Sequence, residues 1–426
     1  MLPIRQKKLI ISIIIILGIG ALLRLYFVFD MHPPERYLYS DMQGYQERAA
    51  KWAAGAKENI YDTFYPPATH IIYSVFFKTT KPFLWIKLFN VIISIVTCIF
   101  IYLSSKILFD KKAGFIALTI ASFNYLFIDF AGYLMSETLF VFMLAFMFYC
   151  FLKSVTASLQ KYRWLFSFLA GLSLITAGAL KSSVFLFIPL FGLWWLCNFK
   201  KYRIISNLTF YVAGFLPLCI LLIIRFHALT GEFGLISTNG GFNFFQGRSH
   251  IKDARFEDSK LHVGYLFASP VAVYKNYTYN DNFPTGPYDS KYFYRRGLAE
   301  AKKDIPRTIG YSLGNLYNLF VLPFVWPSAA VEKPFPVLIK TASILFLMLV
   351  LFPSFFILIF YFRFLLVEYR ILILFPILTI FLTTIMFYGD PRFRVPYDVF
   401  FIILAGFFYA EAYNGLRSWY ELRSKK

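Results

Sequence analysis

The chain is poor in charge, and poorest in negative charge. Charged residues make up 15% of it, with 23 acidic against 43 basic side chains. Soluble domains carry roughly a quarter charged residues, so the composition excludes an ordinary soluble fold. Cysteine is scarce too. Cys98, Cys150, Cys197 and Cys219 each sit inside an apolar run, too far apart for a zinc set, and read as small buried hydrophobes that say nothing about compartment. His70, His227, His250 and His262 are too scattered to argue a metal site. No phosphate-binding loop, GxSxG turn or dinucleotide fingerprint stands at a strand-to-helix junction, which disfavours a nucleotide-driven pump. No internal repeat is evident, which weakens a transporter built on inverted halves.

What is present is apolar and aromatic: 58% hydrophobic residues, with 53 Phe and 30 Tyr. The pattern predicts an all-α polytopic membrane protein with about ten transmembrane helices, at roughly 9–29, 84–108, 113–129, 137–152, 164–180, 183–198, 204–225, 339–362, 370–388 and 395–412. The span 9–29 lacks a small-residue cleavage site and reads as a retained first helix. The +20 net charge is dispersed in short clusters between spans, which sets topology and does not indicate a nucleic-acid partner. With both termini cytoplasmic, Lys106, Lys111, Lys112, Lys153, Lys161, Arg163, Lys200, Lys201, Arg203, Arg363, Arg370 and the basic tail share one face. The opposite face receives 30–83, the turn 130–136, Lys181, the long segment 226–338 and the loop 389–394. The chain thus divides into an N-terminal transmembrane module, 1–225, carrying the outer loop 30–83, an outer loop region, 226–338, and C-terminal helices, 339–426. Residues 308–326 read as either a surface helix or an eleventh span. The basic amphipathic stretch from Tyr292 to Phe320 favours an amphipathic surface helix.

Five places could carry chemistry. Asp41 follows the first span and is either a general base beside a membrane cavity or the cap of a helix such as 42–54. Glu137 stands at a span entrance, pairing with a base or complementing a helix dipole, with Asp129 as a nearby rival. Lys181 is the only strong charge between two apolar runs, a phosphate contact or a snorkelling side chain. Arg392 and Arg394 alternate in what reads as an extended loop, so both guanidiniums would point one way and clamp one phosphate. The run Ser237 to Arg248 mixes Gly with Asn239, Asn243 and Gln246, suiting a turn that admits a polar ligand or an ordinary loop.

Taken in order, these residues resemble the GT-C superfamily of membrane glycosyltransferases, and within it the protein O-mannosyltransferases and the aminoarabinose transferase of lipid A. The resemblance rests on Arg24, Ser40-Asp41 with Tyr45, Tyr65-Pro66-Pro67, Lys87-Leu88-Phe89-Asn90, Ser136-Glu137-Thr138-Leu139-Phe140, the run Ser237 to Gly247, and Pro391-Arg392-Phe393-Arg394-Val395-Pro396. It implies an inverting transferase that takes a sugar from a polyprenyl-phosphate carrier on the outer face of a bacterial inner membrane. By that likeness Asp41 is the base and Glu137 the acid of a later span entrance. Lys181, Arg392, Arg394 and Arg24 attend the donor phosphate, while Asn239, Asn243, Gln246, Arg248, Tyr45 and His70 face acceptor or sugar. Lys181 stands where many relatives have arginine. Met42 follows Asp41 where the mannosyltransferases often have a second carboxylate, which leaves a divalent metal open; no other cofactor is expected. The implied partners are the lipid-linked donor, a lipid, glycan or protein acceptor, and membrane lipids. The alternatives are a lipid-linked polysaccharide ligase or polymerase, and a transporter or flippase of a lipid-linked substrate.

Overall fold

The computed structural model describes residues 4–38, 41–198, 204–248, 251–256, 261–264, 279–322 and 335–423. The N-terminal half begins with α1 (Ile4–Tyr26), then two helices in the first outer segment, α2 (Asp41–Ala53) and α3 (Ala68–Phe77). There follow α4 (Pro82–Leu108), α5 (Lys111–Ser122), α6 (Tyr125–Asp129), α7 (Glu137–Thr156), α8 (Gln160–Leu180), α9 (Phe187–Cys197) and α10 (Ile204–Thr230). The second outer segment holds α11 (Asn239–Gln246), three strands, α12 (Ser290–Lys303) and α13 (Ile305–Val321). The chain closes with α14 (Phe335–Phe346), α15 (Phe352–Phe360), α16 (Phe362–Leu365), α17 (Leu374–Met386), α18 (Pro391–Arg394) and α19 (Asp398–Arg423).

Among the described residues, eight helices are long and apolar enough to cross a membrane: Gln6–Arg36, Pro82–Leu108, Glu137–Thr156, Gln160–Leu180, Ile205–Thr230, Val337–Phe360, Glu368–Met386 and Pro391–Ser418. The remaining two expected spans differ in form. The one expected over 113–129 is broken: α5 and the α6 segment meet at 51°. The break is local chemistry, because Asn124 turns its side chain to accept from the backbone N–H groups of Leu126 and Phe127 and caps a new helix. The one expected over 183–198 is a shorter apolar helix, Ser182–Cys197.

One hydrophobic core runs from Met42 to Ala410, joining helices before and after the outer segment 226–338. At its centre α7 buries Phe140, Phe148 and Phe151, with Phe151 stacked on Phe191 at 4.1 Å. α8 and α10 approach through glycines on each side. A Cβ on Gly171 would lie 2.0 Å from the Tyr211 carbonyl oxygen, and one on Gly214 would lie 2.1 Å from that of Phe168. Small residues permit this close approach where lipid tails offer no hydrophobic drive. Arg24 is fully buried and ties α1 to α4 and α5. It donates to Ser94 Oγ (2.8 Å) and to the carbonyls of Gly20 (2.9 Å), Ser122 (2.8 Å) and Ala121 (3.3 Å).

Asp41, Glu137, Lys181 and Arg392 lie respectively at the start of α2, the start of α7, the end of α8 and between α17 and α19, all at one end of the bundle. Lys106, Lys111, Lys112, Lys153, Lys161 and Arg163 stand at the other ends of α4, α5, α7 and α8. Lys200, Lys201, Arg203 and the last two lysines lie outside the described residues.

The outer segment departs from an all-helical expectation in one detail. Strands β1 (Ile251–Phe256), β2 (Leu261–Gly264) and β3 (Tyr279–Phe283) form a small sheet in the order β2-β1-β3, antiparallel between β1 and β2 and parallel between β1 and β3. The amphipathic stretch is two helices, with Asp304 capping α13 through the Arg307 N–H. α13 buries Tyr311, Asn315 and Leu319 while Ile305, Ile309, Leu313, Tyr317 and Val321 stay exposed at helical spacing. It crosses the end of α17, where Ser312 and Asn315 donate to the carbonyls of Ile385 (3.1 Å) and Phe387 (3.2 Å). It is not among the helices long enough to span; residues 323–326 lie outside the described set.

Candidate active site

The charges at that end of the bundle converge. Asp41 is the first residue of α2, and among the described residues its carboxylate meets side chains and no backbone N–H of the helix; Ser40, the other candidate cap, lies outside the described residues. Asp41 Oδ1 accepts from the Tyr65 hydroxyl (2.9 Å), and Oδ2 accepts from Arg392 Nη1 (2.7 Å). Arg392 Nε donates to Glu137 Oε1, which also accepts from Lys181 Nζ (2.8 Å). The result is a linear relay, Tyr65–Asp41–Arg392–Glu137–Lys181, in which two carboxylates balance two cations. Glu137 is fully buried, so its charge depends on those two partners. Lys181 Nζ also lies 5.1 Å from the Phe393 ring centroid.

Asp41, Lys181 and Arg392 face a cavity of about 970 Å³. Its outer wall is aromatic and amide-rich: Tyr45, Tyr65, Tyr288, Asn239, Asn243 and Gln246. Its inner wall is apolar, with Leu180, Phe185 and Leu186 facing Ile380 across from α17. Burial, helped by the Asp41 charge, pushes the Tyr45 phenol up to about 12, and burial likewise raises Tyr65 and Tyr388. These three phenols are therefore neutral donors at ordinary pH.

The amide wall is a helix, α11, where an open turn was expected. It reaches the cavity because glycines let it dock. A Cβ on Gly241 would fall 2.1 Å from the Ser290 carbonyl oxygen, and one on Gly247 would fall 1.7 Å from that of Phe387. Behind it Phe242, Phe245, Phe283 and Phe293 form a separate buried cluster.

Four expected site residues stand elsewhere. Arg394 faces away from Arg392, because Pro391–Arg394 is a helical turn started by Asp390, which accepts from the Arg392 N–H (2.8 Å). Residues two apart on a helix diverge by about 200°. Arg394 is instead buried against Asp398 Oδ1 (2.9 Å) and donates to the Leu319 carbonyl (3.0 Å), locking α13 to α19. Arg24 is the interhelical tie already described. Arg248 donates to the carbonyls of Ile385 (2.6 Å) and Met386 (3.0 Å), supplying the last turn of α17 with donors its own backbone cannot provide. His70 is buried beside Glu58 at 3.8 Å, outside the cavity lining. Glu58 pairs with Arg225 and so fastens the first outer segment to α10. Burial alone would raise the Glu58 carboxyl, but the His70 side chain beside it and the Arg225 guanidinium bonded to it outweigh that and bring it down to about 2. Asp129, the rival acid, accepts from Tyr133 inside the bundle.

Residues the sequence reading passed over also line the cavity: Arg48, Tyr61, Tyr288, Tyr294, Ser183 and Tyr397. Only Arg48 had a local signal. It lies seven residues after Asp41, about two helical turns along the same face. Among the described residues no three His, Cys, Asp or Glu side chains converge as metal ligands. Asp41 and Glu137 already hold Arg392 and Lys181, so this donor set does not suit a divalent cation.

A bundle of apolar helices with its charges gathered at one end, against the helices of the second long segment, is a fold that the comparisons find in known proteins. Residues 65–224 match the family described as dolichyl-phosphate-mannose-protein mannosyltransferase. The chain shares its fold with the Archaeoglobus fulgidus oligosaccharyltransferase in its apo form, with a TM-score of 0.55 at 11% identity over 97% of this chain and 52% of that one. The archaeal oligosaccharyltransferase AglB of the same organism, in complex with an inhibitory peptide and a dolichol-phosphate, gives 0.53 at 12% identity over the same shares, 97% and 52%. The chain spans about half the length of these solved structures. No curated protein matches it in sequence. The matched segment 65–224 holds Tyr65, Glu137 and Lys181, while Asp41, Arg48 and Arg392 lie outside it.

Proposed function

We propose that the protein is an inverting glycosyltransferase that moves a sugar from a polyprenyl-phosphate carrier to an acceptor on the extracytoplasmic face. The observation that carries this reading is the balanced relay in which Asp41, Arg392 and Lys181 line one cavity and the buried Glu137 joins the two cations behind them. A lipid-linked donor already sits in the membrane, so its apolar tail suits the wall of Leu180, Leu186 and Ile380, and no nucleotide-binding domain is needed. The basic residues at the opposite end of the bundle favour a cytoplasmic setting for that end, which supports an extracytoplasmic cavity.

Charge bookkeeping accounts for the chemistry. Each carboxylate oxygen can accept more than one hydrogen bond, so Asp41 receives the acceptor hydroxyl while keeping Tyr65 and Arg392. As Asp41 takes the proton, the acceptor oxygen bonds to the anomeric carbon and the carbon–oxygen bond to the phosphate breaks from the opposite side. The bond pair leaves on the phosphate, which gains one negative charge. The relay simultaneously changes from neutral to one net positive charge, with Arg392 and Lys181 nearest the developing anion.

In a reconstituted assay with a polyprenyl-phosphate sugar, Asp41→Asn should lose at least about a thousandfold in transfer rate while binding the lipid donor as before. Transfer by Asp41→Asn within tenfold of wild type would remove it as the base. The fold relatives are named oligosaccharyltransferases, which favours one second reading, transfer of a glycan en bloc. Donors bearing one sugar and several sugars separate the two.

A further inference from the structure

The cavity holds one cation more than its acids can neutralise. Asp41 and Glu137 are taken up by Arg392 and Lys181, and Arg48, which also lines the cavity, has no carboxylate partner among the described residues. Its Nε and Nη2 are buried and have no hydrogen-bond partner among the described residues. The guanidinium lies 4.1 Å from the Tyr65 ring centroid and 5.4 Å from that of Tyr45. Such cation–π contacts contribute about 0.5–2 kcal/mol, which does not replace the hydrogen bonds that a buried guanidinium loses on leaving water.

The local sequence makes room for this arrangement. Gly44 lies one turn before Arg48, and a Cβ there would stand 3.1 Å from Arg48 Nη2. A glycine inside a helix costs about 1 kcal/mol relative to alanine; here its missing side chain lets the guanidinium fold back over α2. Tyr65 links the two sides of the site, since its ring carries Arg48 and its hydroxyl donates to Asp41 Oδ1, the oxygen that Arg392 does not hold. Arg48 therefore stands on the side of the base remote from the donor cations.

We propose that Arg48 forms a second oxyanion subsite in this cavity, which takes a phosphate or carboxylate group carried by the acceptor. The proposal rests on the glycosyltransferase reading only for the word acceptor. An anionic acceptor docked on Arg48 places its nucleophilic hydroxyl beside Asp41, while the donor phosphate uses Arg392 and Lys181.

The test is calorimetric titration of inorganic phosphate into the full-length protein in lipid nanodiscs, with and without saturating polyprenyl phosphate. Wild-type protein saturated with polyprenyl phosphate should still bind inorganic phosphate. Arg48→Gln should weaken that binding about tenfold or more, the loss of one charge-assisted contact. Arg48→Lys should weaken it less, and Gly44→Ala should weaken it by crowding the guanidinium while keeping its charge. Polyprenyl phosphate affinity should be unchanged in all three variants, which also shows that they are folded. Abolition of phosphate binding by polyprenyl phosphate would overturn the proposal, assigning Arg48 to the donor subsite; so would binding that is insensitive to Arg48→Gln. If wild-type protein fails to bind polyprenyl phosphate, the glycosyltransferase reading falls. The Arg48 dependence of phosphate binding then decides the subsite by itself.

Discussion

Two arginines one residue apart, Arg392 and Arg394, show how much a single helical turn decides. Arg392 bridges Asp41 and Glu137, a geometry that needs a planar fork with separated donors. Lysine at 392 keeps the charge and cannot span both acids. Arg392→Lys should therefore raise the donor concentration needed for half-maximal transfer about tenfold, with little change in thermal stability. Arg394→Gln should do the reverse, because it leaves Asp398 buried without its cation. Breaking a buried pair costs about 3–5 kcal/mol, so its melting temperature should fall while donor dependence in the surviving fraction stays as in wild type. Equal effects of the two substitutions on donor dependence would mean that Arg394 reaches the phosphate after all. The identity of both arginines and their place just after the span 370–388 were legible in the sequence. Their directions were not, because a loop and a helical turn of four residues are indistinguishable by composition until Asp390 is seen capping Arg392.

Among the elements, α8 and α10 approach closely through a glycine on each, and α8 ends at Lys181 on the cavity wall. Gly171 and Gly214 each meet a backbone carbonyl of the facing helix, which cannot move aside as a side chain can. Gly171→Ala should cost about 1–3 kcal/mol through overpacking. Gly192 in α9 has open space around it, and Gly192→Ala should be neutral or slightly stabilising. Thermal unfolding of the two variants in one detergent checks the pair; equal stability would show that the helices separate at little cost. Other element-level features were readable in advance. Pro82 at the start of α4 and Asp110 before α5 are ordinary helix starts. The Asn124 break was also written in the chain, but mean hydropathy, which treats 113–129 as one apolar window, conceals it.

For the whole molecule the open question is orientation, and it can be tested without a substrate. Lys57 in the first outer segment and Lys111 at the start of α5 are both exposed, at opposite ends of the bundle. In a background lacking the four native cysteines, Lys57→Cys should react with an impermeant thiol reagent added to intact cells. Lys111→Cys should react only after lysis. The opposite pattern would put the cavity in the cytoplasm and remove the extracytoplasmic reading.

The sequence by itself determined the class of protein, the approximate places of its spans and the stock of charged residues at their ends. Hydropathy and helix starts are sums over neighbouring residues, so no tertiary information is needed to read them. Only the tertiary structure decided which charges meet. Asp41 and Arg392 are 351 positions apart, and no local rule brings them within 2.7 Å. The same packing withdrew Arg24, Arg248, Arg394 and His70 from the cavity and gave the three arginines structural partners. It also left Arg48 near Asp41 without a carboxylate partner among the described residues. A buried cation must find an acceptor somewhere, and which acceptor it finds depends on how all the helices pack together.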